Sequence, residues 1–356
     1  MTAERTIYGP WESLEIRGTG PAVSLALPPA LVALRERAQA LQRDPKPDCP
    51  ELTIAEAQAW ADHTEAEDWL AWRARRVAAR LEAMPLELEP GERVVGKPLL
   101  HEPNDRQREA LEAAHETLSS MPPFPGGDAG HFHPDYEKLF RLGLGGILRE
   151  IEERRQSAGG NPAFYDACRI ALEGMVAYVR RVAEACRAMA ETERDHADDW
   201  RNLAHMCAHL ADGPPRTFHE GVQLMFLAQI ALWYGEGHYL TSPGRMDQTL
   251  GRLYEADLAA GRISRQEALR LLCCHFIQMN RILWPGSAVA VLVGGTDPAG
   301  RDLTNELTYL CLAARAATRL VYPTVGLAWH EGTPPELMDL AVRLLGTGLG
   351  DPALFN

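Results

Sequence analysis

Between residues 264 and 350 the pattern of apolar residues switches repeatedly between a helical and an extended period, and that switching limits the folds open to the chain. Ser264 with Glu267 makes a helix start, and from Ala268 to Leu283 apolar residues fall nearly all round, so the helix is expected to be enclosed by neighbours. Ala288 to Val293 reads as a short strand closed by a Gly294-Gly295 turn, and Tyr322 to His330 alternates as a second strand. Thr333 with Glu336, and Pro334 at the first helical position, predicts another helix. Its Leu337, Leu340, Ala341, Leu344 and Leu345 form one stripe, the spacing of a helix lying on a sheet. Helices alternating with short strands imply an α/β layer or a segment of a barrel.

Upstream the chain is helical. Thr53 with Glu56 reads as a capping box opening a long helix through Met84; Pro134 opens another toward Arg155, and the pattern stays helical from Pro162 to Leu210. Pro and Gly clusters cut the chain at Met121 to Gly130 and Asp212 to Arg216. The expected fold class is therefore α/β and helix-rich: residues 1–215 mainly helical, residues 216–356 helices alternating with strands.

Charge and composition exclude several functions. With 36 Lys and Arg against 49 Asp and Glu, the net charge of -13 repels a phosphate backbone, so nucleic acid is not an expected partner. The most apolar stretch, Leu224 to Trp233, is interrupted by Gln229 and falls short of the roughly 20 residues that span a membrane; a buried helix is expected. Met1 to Gly18 carries Glu4, Glu12 and Glu15 and lacks the basic start and apolar run of a secretory signal, which points to the cytoplasm. Seven cysteines, without paired spacing, read as reduced thiols.

Local clusters were weighed for chemistry. His205 and His209 share a helix face at the spacing of a metal pair, but Cys207 points elsewhere and no third ligand is placed; no metal site is assigned there, nor at His133 or His238. Cys273-Cys274 lies mid-helix without a basic cluster or helix N-terminus to lower a thiol pKa, so both read as buried, inert thiols. No Gly-x-Ser-x-Gly, P-loop or Gly-x-Gly-x-x-Gly motif occurs. His131 stands in a loop before a helix start, a position from which a side chain can reach a pocket.

A family resemblance adds to this. Arg216-Thr217-Phe218-His219-Glu220-Gly221-Val222-Gln223 leads into Ser242-Pro243-Gly244-Arg245-Met246-Asp247-Gln248. Later come Val293-Gly294-Gly295-Thr296, Arg301-Asp302-Leu303-Thr304-Asn305-Glu306-Leu307, Tyr322-Pro323-Thr324, and Gly348-Leu349-Gly350-Asp351-Pro352-Ala353-Leu354-Phe355-Asn356. In this order and spacing, over positions 216 to 356, they resemble the pyruvate formate-lyase family of glycyl radical enzymes. Weaker matches run through Pro90 to Gly96 and through Gly130-His131 with Pro134-Asp135-Tyr136. After Gln248 the family usually continues with aromatic residues and a proline, where Thr249 to Tyr254 stands here, and Ala328 replaces a commonly basic position; these departures favour a divergent subfamily.

The resemblance implies a partial domain over 1–356, a barrel of strands in two antiparallel halves jacketed by helices, and shielded radical chemistry. It implies no directly bound cofactor: a glycyl radical is installed by a separate activating enzyme using S-adenosylmethionine and an iron-sulfur cluster. The central cysteine follows the Pro-Ala-Leu-Phe-Asn element and the radical glycine lies near the far C-terminus, so both are expected beyond Asn356, with no catalytic residue in this chain. Arg93-Val94-Val95-Gly96 mimics the radical loop but aligns with a family strand, and is expected to be structural. His131 matches a position that faces the substrate in dehydratase-type members, and Ser242 matches a pocket-wall position. Arg245 and Asp247 read as a structural ion pair or cap network, Asp302 and Asn305 as turn and cap residues. The expected function is the N-terminal portion of a glycyl radical lyase or formate acyltransferase that cleaves a C-C or C-heteroatom bond of a small polar metabolite, inactive alone and homodimeric at full length. The alternative is a non-catalytic half-barrel that binds a partner chain through the apolar surface left open.

Overall fold

A computed structural model describes residues 16–356 apart from 19, 44–47, 65–67, 123–130, 132, 158–160, 239 and 284–286. Met1–Glu15, on which the reading of the N-terminus mostly rests, lies outside them, as do Gly130 and Phe132 beside His131. Seven helices come first: α1 (Pro29–Arg43), α2 (Pro50–Ala61), α3 (Trp69–Ala83), α4 (Asp105–Ser119), α5 (Tyr136–Gln156), α6 (Pro162–Thr192) and α7 (Ala197–Leu210). Then follow α8 (Phe218–Ile230), a π-helical turn (Ala231–Glu236), α9 (Met246–Thr249), α10 (Gly251–Ala259) and α11 (Arg265–Ile282). The chain continues with β1 (Ala290–Gly294), α12 (Glu306–Thr318), β2 (Thr324–Ala328), α13 (Pro335–Gly346) and β3 (Ala353–Phe355). The helix-rich α/β class is observed.

The strands form one parallel sheet in the order β1-β2-β3, each connection carrying a helix as parallel pairing requires. Val291, Val293, Val325 and Leu327 turn one face inward. Here α12, buried from Leu307 to Thr318, touches β1 and β2 as well as α11. From Leu271 to Ile282, α11 is buried without interruption, as its all-round apolar pattern requires. α8 is likewise enclosed, and Ser264 accepts a hydrogen bond from the Glu267 amide at 3.1 Å, capping α11.

Two helix starts differ from expectation. The helix predicted from Thr53 to Met84 is two helices, because α2 already begins at Pro50, whose fixed φ suits a first turn, and Asp68 caps α3 after a break. Glu56 cannot close a capping box because its carboxylate reaches across to α3, bonding Arg76 Nε at 2.7 Å and Arg80 Nη1 at 2.5 Å. Thr333 does not cap α13: its hydroxyl accepts the His330 amide at 3.0 Å, and the helix starts two residues later at Pro335. Of the α13 stripe, Leu337, Leu340, Ala341 and Leu344 are buried while Leu345 is exposed. Within α5, Gly143 takes φ 65° where the helix kinks against the Gly213-Pro214 turn; a Cβ there would lie 2.3 Å from the Gly213 carbonyl carbon, so only glycine fits. Among the described residues no helix is long and apolar enough to cross a membrane.

Candidate active site

The register Ala290↔Thr324, Leu292↔Gly326 and Gly294↔Ala328 fixes which residues share the face of the sheet opposite the helix-packed valines. Across β3 the same face continues through Ala353 and Phe355. Apart from Leu292 and Phe355 these are small side chains, and those two close over the middle of the face: a Cβ at Gly326 would lie 2.7 Å from Phe355 Cε2 and 3.1 Å from Leu292 Cδ1. A fourth extended segment extends the sheet at β1, where Gly244 pairs in parallel with Val291. The Gly244 amide donates to the Ala290 carbonyl at 3.3 Å, and the Leu292 amide to the Gly244 carbonyl at 3.0 Å. One position earlier in that ladder the bond is made by a side chain: the Ala290 amide donates to Ser242 Oγ at 3.1 Å. A hydroxyl that accepts in this way still carries its own proton to give.

The turn after Ser242 is locked from below. Asp247, fully buried, accepts from the Gly294 amide and the Thr308 hydroxyl, both at 2.8 Å, while its backbone carbonyl accepts from Asn305 Nδ2 at 3.1 Å. Burial raises the Asp247 carboxyl above its ordinary range, against the pull of those two donors and of Arg245 nearby. Arg245 itself bonds the Gly294 carbonyl. Asn305 makes a full capping box with Thr308 at the start of α12, and Asp302 accepts from Thr304 and, at 3.0 Å, from His330 Nε2. Arg245, Asp247, Asp302 and Asn305 are thus structural groups of the turn, cap and network kind expected.

The loop carrying His131 meets this turn through His133, a residue to which the sequence assigns no metal site and no contact. The His133 ring rests on Gly244 so closely that a Cβ at Gly244, where φ is +66°, would lie 2.0 Å from His133 Cδ2. The other side of the ring meets Tyr136 edge-on at 5.4 Å. Tyr136 is fully buried with its hydroxyl unpartnered, and burial pushes its phenol well above the ordinary value. His131 is exposed two residues before this contact, so both residues proposed from sequence, His131 and Ser242, belong to the segments that His133 and Gly244 join. No hydrogen bond links His131 and Ser242 themselves. The only local hint of the join was the His-x-His spacing before Pro134; a contact with a glycine more than a hundred positions away leaves no pattern in either segment.

The remaining clusters are structural or dispersed. Arg93 to Gly96 is a segment threaded through helices: Gln223 bonds both the amide and the carbonyl of Val95 (3.0 and 2.8 Å), Gln278 donates to the Val94 carbonyl at 2.8 Å, and Tyr178 to that of Gly96 at 2.7 Å. Cys273 and Cys274 are buried, and burial lifts both thiols, that of Cys274 to about 11. None of the seven cysteines lies on the small-residue face of the sheet. His205 is exposed, while His209 Nε2 is within 2.9 Å of the Pro214 carbonyl; among the described residues no three potential ligands gather.

Residues 104–356 match the family described as pyruvate formate lyase-like. The chain belongs to that family. It is 32% identical over 250 residues to the (2S)-3-sulfopropanediol dehydratase of Klebsiella oxytoca, covering 64% of this chain and 30% of the relative. It is 31% identical over 246 residues to the isethionate sulfite-lyase of Nitratidesulfovibrio vulgaris, covering 62% and 30%. In three dimensions it superposes on the B12-independent glycerol dehydratase of Clostridium butyricum with a TM-score of 0.83 at 21% identity, covering 93% of this chain and 51% of that one. That last likeness shows the fold. The match spans 30% of the length of these curated relatives and about half of the solved chain, and the family is that of the glycyl radical enzymes.

Proposed function

We propose that residues 1–356 form the first part of the barrel wall of a glycyl radical lyase that breaks a carbon-heteroatom bond of a small polar metabolite by thiyl radical chemistry. The observation that carries this is a parallel sheet in this family fold with small residues around Leu292 and Phe355 on one face, Ser242 at its edge and His133, of the His131 loop, seated on the same turn. The names of the two curated relatives, a dehydratase and a sulfite-lyase, favour a leaving group on oxygen or sulfur over acyl transfer. The radical, supplied by an S-adenosylmethionine and iron-sulfur activating enzyme, would activate a substrate C-H bond. In this reading Ser242 holds a substrate hydroxyl by donating its free proton, and His131, an exposed side chain of the neighbouring loop, gives a proton to the departing group. This reading expects the central cysteine and radical glycine outside residues 1–356, in keeping with six of the seven thiols being buried and none standing on the small-residue face of the sheet. The domain is a single partial one, active in the cytoplasm and homodimeric when complete.

Reading the coding sequence past codon 356, with the intact mass of the native polypeptide, tests this first. In a longer product, Ser242→Ala and His131→Ala should each lower turnover, His131→Ala by about 100- to 10,000-fold, while leaving the radical signal in electron paramagnetic resonance intact; loss of that signal contradicts a substrate-contact role. A second reading rests on β3, whose Leu354 and Phe355 are 47% and 56% exposed: a non-catalytic half-barrel that pairs with a partner chain through this edge. A native polypeptide whose mass ends at Asn356 would favour that reading.

A further inference from the structure

Away from the sheet, an open groove of about 690 Å³ lies between α3, α5, α6 and the π-helical turn. Its walls are aliphatic and aromatic: Leu70 and Val77 from α3, Ile147 and Ile151 from α5, Phe164 and Leu172 from α6. Helix faces of this kind are normally covered, yet Leu70 and Phe164 stand 38% and 46% exposed. The lip is charged. Arg73 pairs with Glu236 across one end, and Lys138 with Glu150 at 3.0 Å across another. Arg154, also on the lip, makes no side-chain hydrogen bond or salt bridge among the described residues. It is shared with a neighbouring hollow lined by Arg141 and Arg149 beside Glu150 and Glu153, so the lip is locally cationic on a chain whose net charge is -13.

We propose that this groove binds an anionic amphiphile, its unbranched apolar tail lying between α3, α5 and α6 and its single negative head group at Arg154. The volume falls in the range of small-ligand pockets, roughly 300 to 1000 Å³. A protein partner would need on the order of 800 Å² of matching surface, but Leu70 and Phe164 are the only strongly exposed large apolar side chains that line the groove. Arg154 lowers the pKa of the Glu150 carboxyl from nearby, but no carboxylate is bonded to its guanidinium, and an apolar trough with such a cation at its lip matches an amphiphile's two halves: the tail leaves water and the carboxylate gains a charge-assisted bond.

The groove carries its own reporter. Six of the seven cysteines are buried, and Cys168, in the groove wall, is partly exposed, with burial holding its thiol above the ordinary value. The rate at which a disulfide reagent modifies Cys168 in the 356-residue chain at alkaline pH is measured with and without dodecanoate below its micelle concentration. Dodecanoate is expected to slow modification saturably, and Arg154→Glu, at an exposed site, to weaken that protection about tenfold, the scale of one charge-assisted bond. Dodecyltrimethylammonium is expected to protect less than dodecanoate, and Ala171→Phe, which fills the trough, to abolish protection. The proposal is overturned if dodecanoate gives no protection, if dodecanol protects equally well, or if Arg154→Glu changes nothing. It is also overturned if Cys168 is unreactive without ligand, or is protected as protein concentration rises while sedimentation shows a dimer, since another chain would then cover the groove.

Discussion

A methyl group added at Gly244 would meet the His133 ring at 2.0 Å and would also have to adopt φ +66°, a conformation that costs an L-residue about 1 to 2 kcal/mol. Gly244→Ala is therefore expected to lower the midpoint of thermal unfolding by more than that backbone cost explains, the excess coming from the displaced ring. In a His133→Ala background the excess should vanish, leaving the backbone cost alone. Equal losses in both backgrounds would show that the His131 loop does not rest on the Ser242 turn. At this scale the sequence was legible where a bond is local, as with Ser264 and Glu267 or Asn305 and Thr308. It was silent on His133 and Gly244, and on the Asp247 to Thr308 bond, because contacts between distant segments impose no spacing on either. Ser242 and His131 could be proposed only through the family resemblance; nothing in their neighbours' periodicity marks them.

Among the elements, α8 and α11 hold the segment 93–96 with glutamines buried on their faces. Gln223 is a bidentate partner for Val95, standing in for the neighbouring strand that the segment 93–96 lacks. Replacing it with leucine keeps the bulk but strands a buried amide and a buried carbonyl, so Gln223→Leu should cost about 2 to 6 kcal/mol in denaturant unfolding. A loss below about 1 kcal/mol would mean that water reaches the segment. The helix-strand alternation after residue 264 was readable because α11, β1, β2 and α13 each keep one period. The end of α2 at Ala61 and the fresh start of α3 at Trp69 were missed because Thr53 and Glu56 imitate a capping box, while Glu56 in fact serves two arginines of α3.

For the molecule as a whole, acid sensitivity should begin above the carboxylate range. Burial holds His275 down to about 3, and holds His219, whose Nε2 meets the Arg93 carbonyl at 2.6 Å, down to about 4. The unfolded chain takes protons at both sites below about pH 6.5 while the folded chain refuses them. Stability present above pH 6.5 therefore declines as pH falls toward 4 and 3. Glu89 belongs to a lower window: despite burial, Lys97, Arg281 and Arg37 hold it near 2, so its contribution is lost only below about 4.5. The raised His101 imidazole and the raised Asp247 carboxyl act in the opposite sense, so the test is the difference that His275 makes: His275→Gln should raise the urea-unfolding free energy at pH 5 relative to that at pH 7, and an unchanged difference would mean that His275 is protonated in the folded chain. The sheet adds a constraint of another kind. Ala290 hangs on a side-chain hydroxyl rather than on a neighbour's carbonyl, so one residue is at once a rung of the wall and a candidate for touching what the wall encloses. A lineage that retunes its substrate by changing Ser242 also unpicks a stitch of its own scaffold, and would have to re-sew it elsewhere before the new specificity could persist.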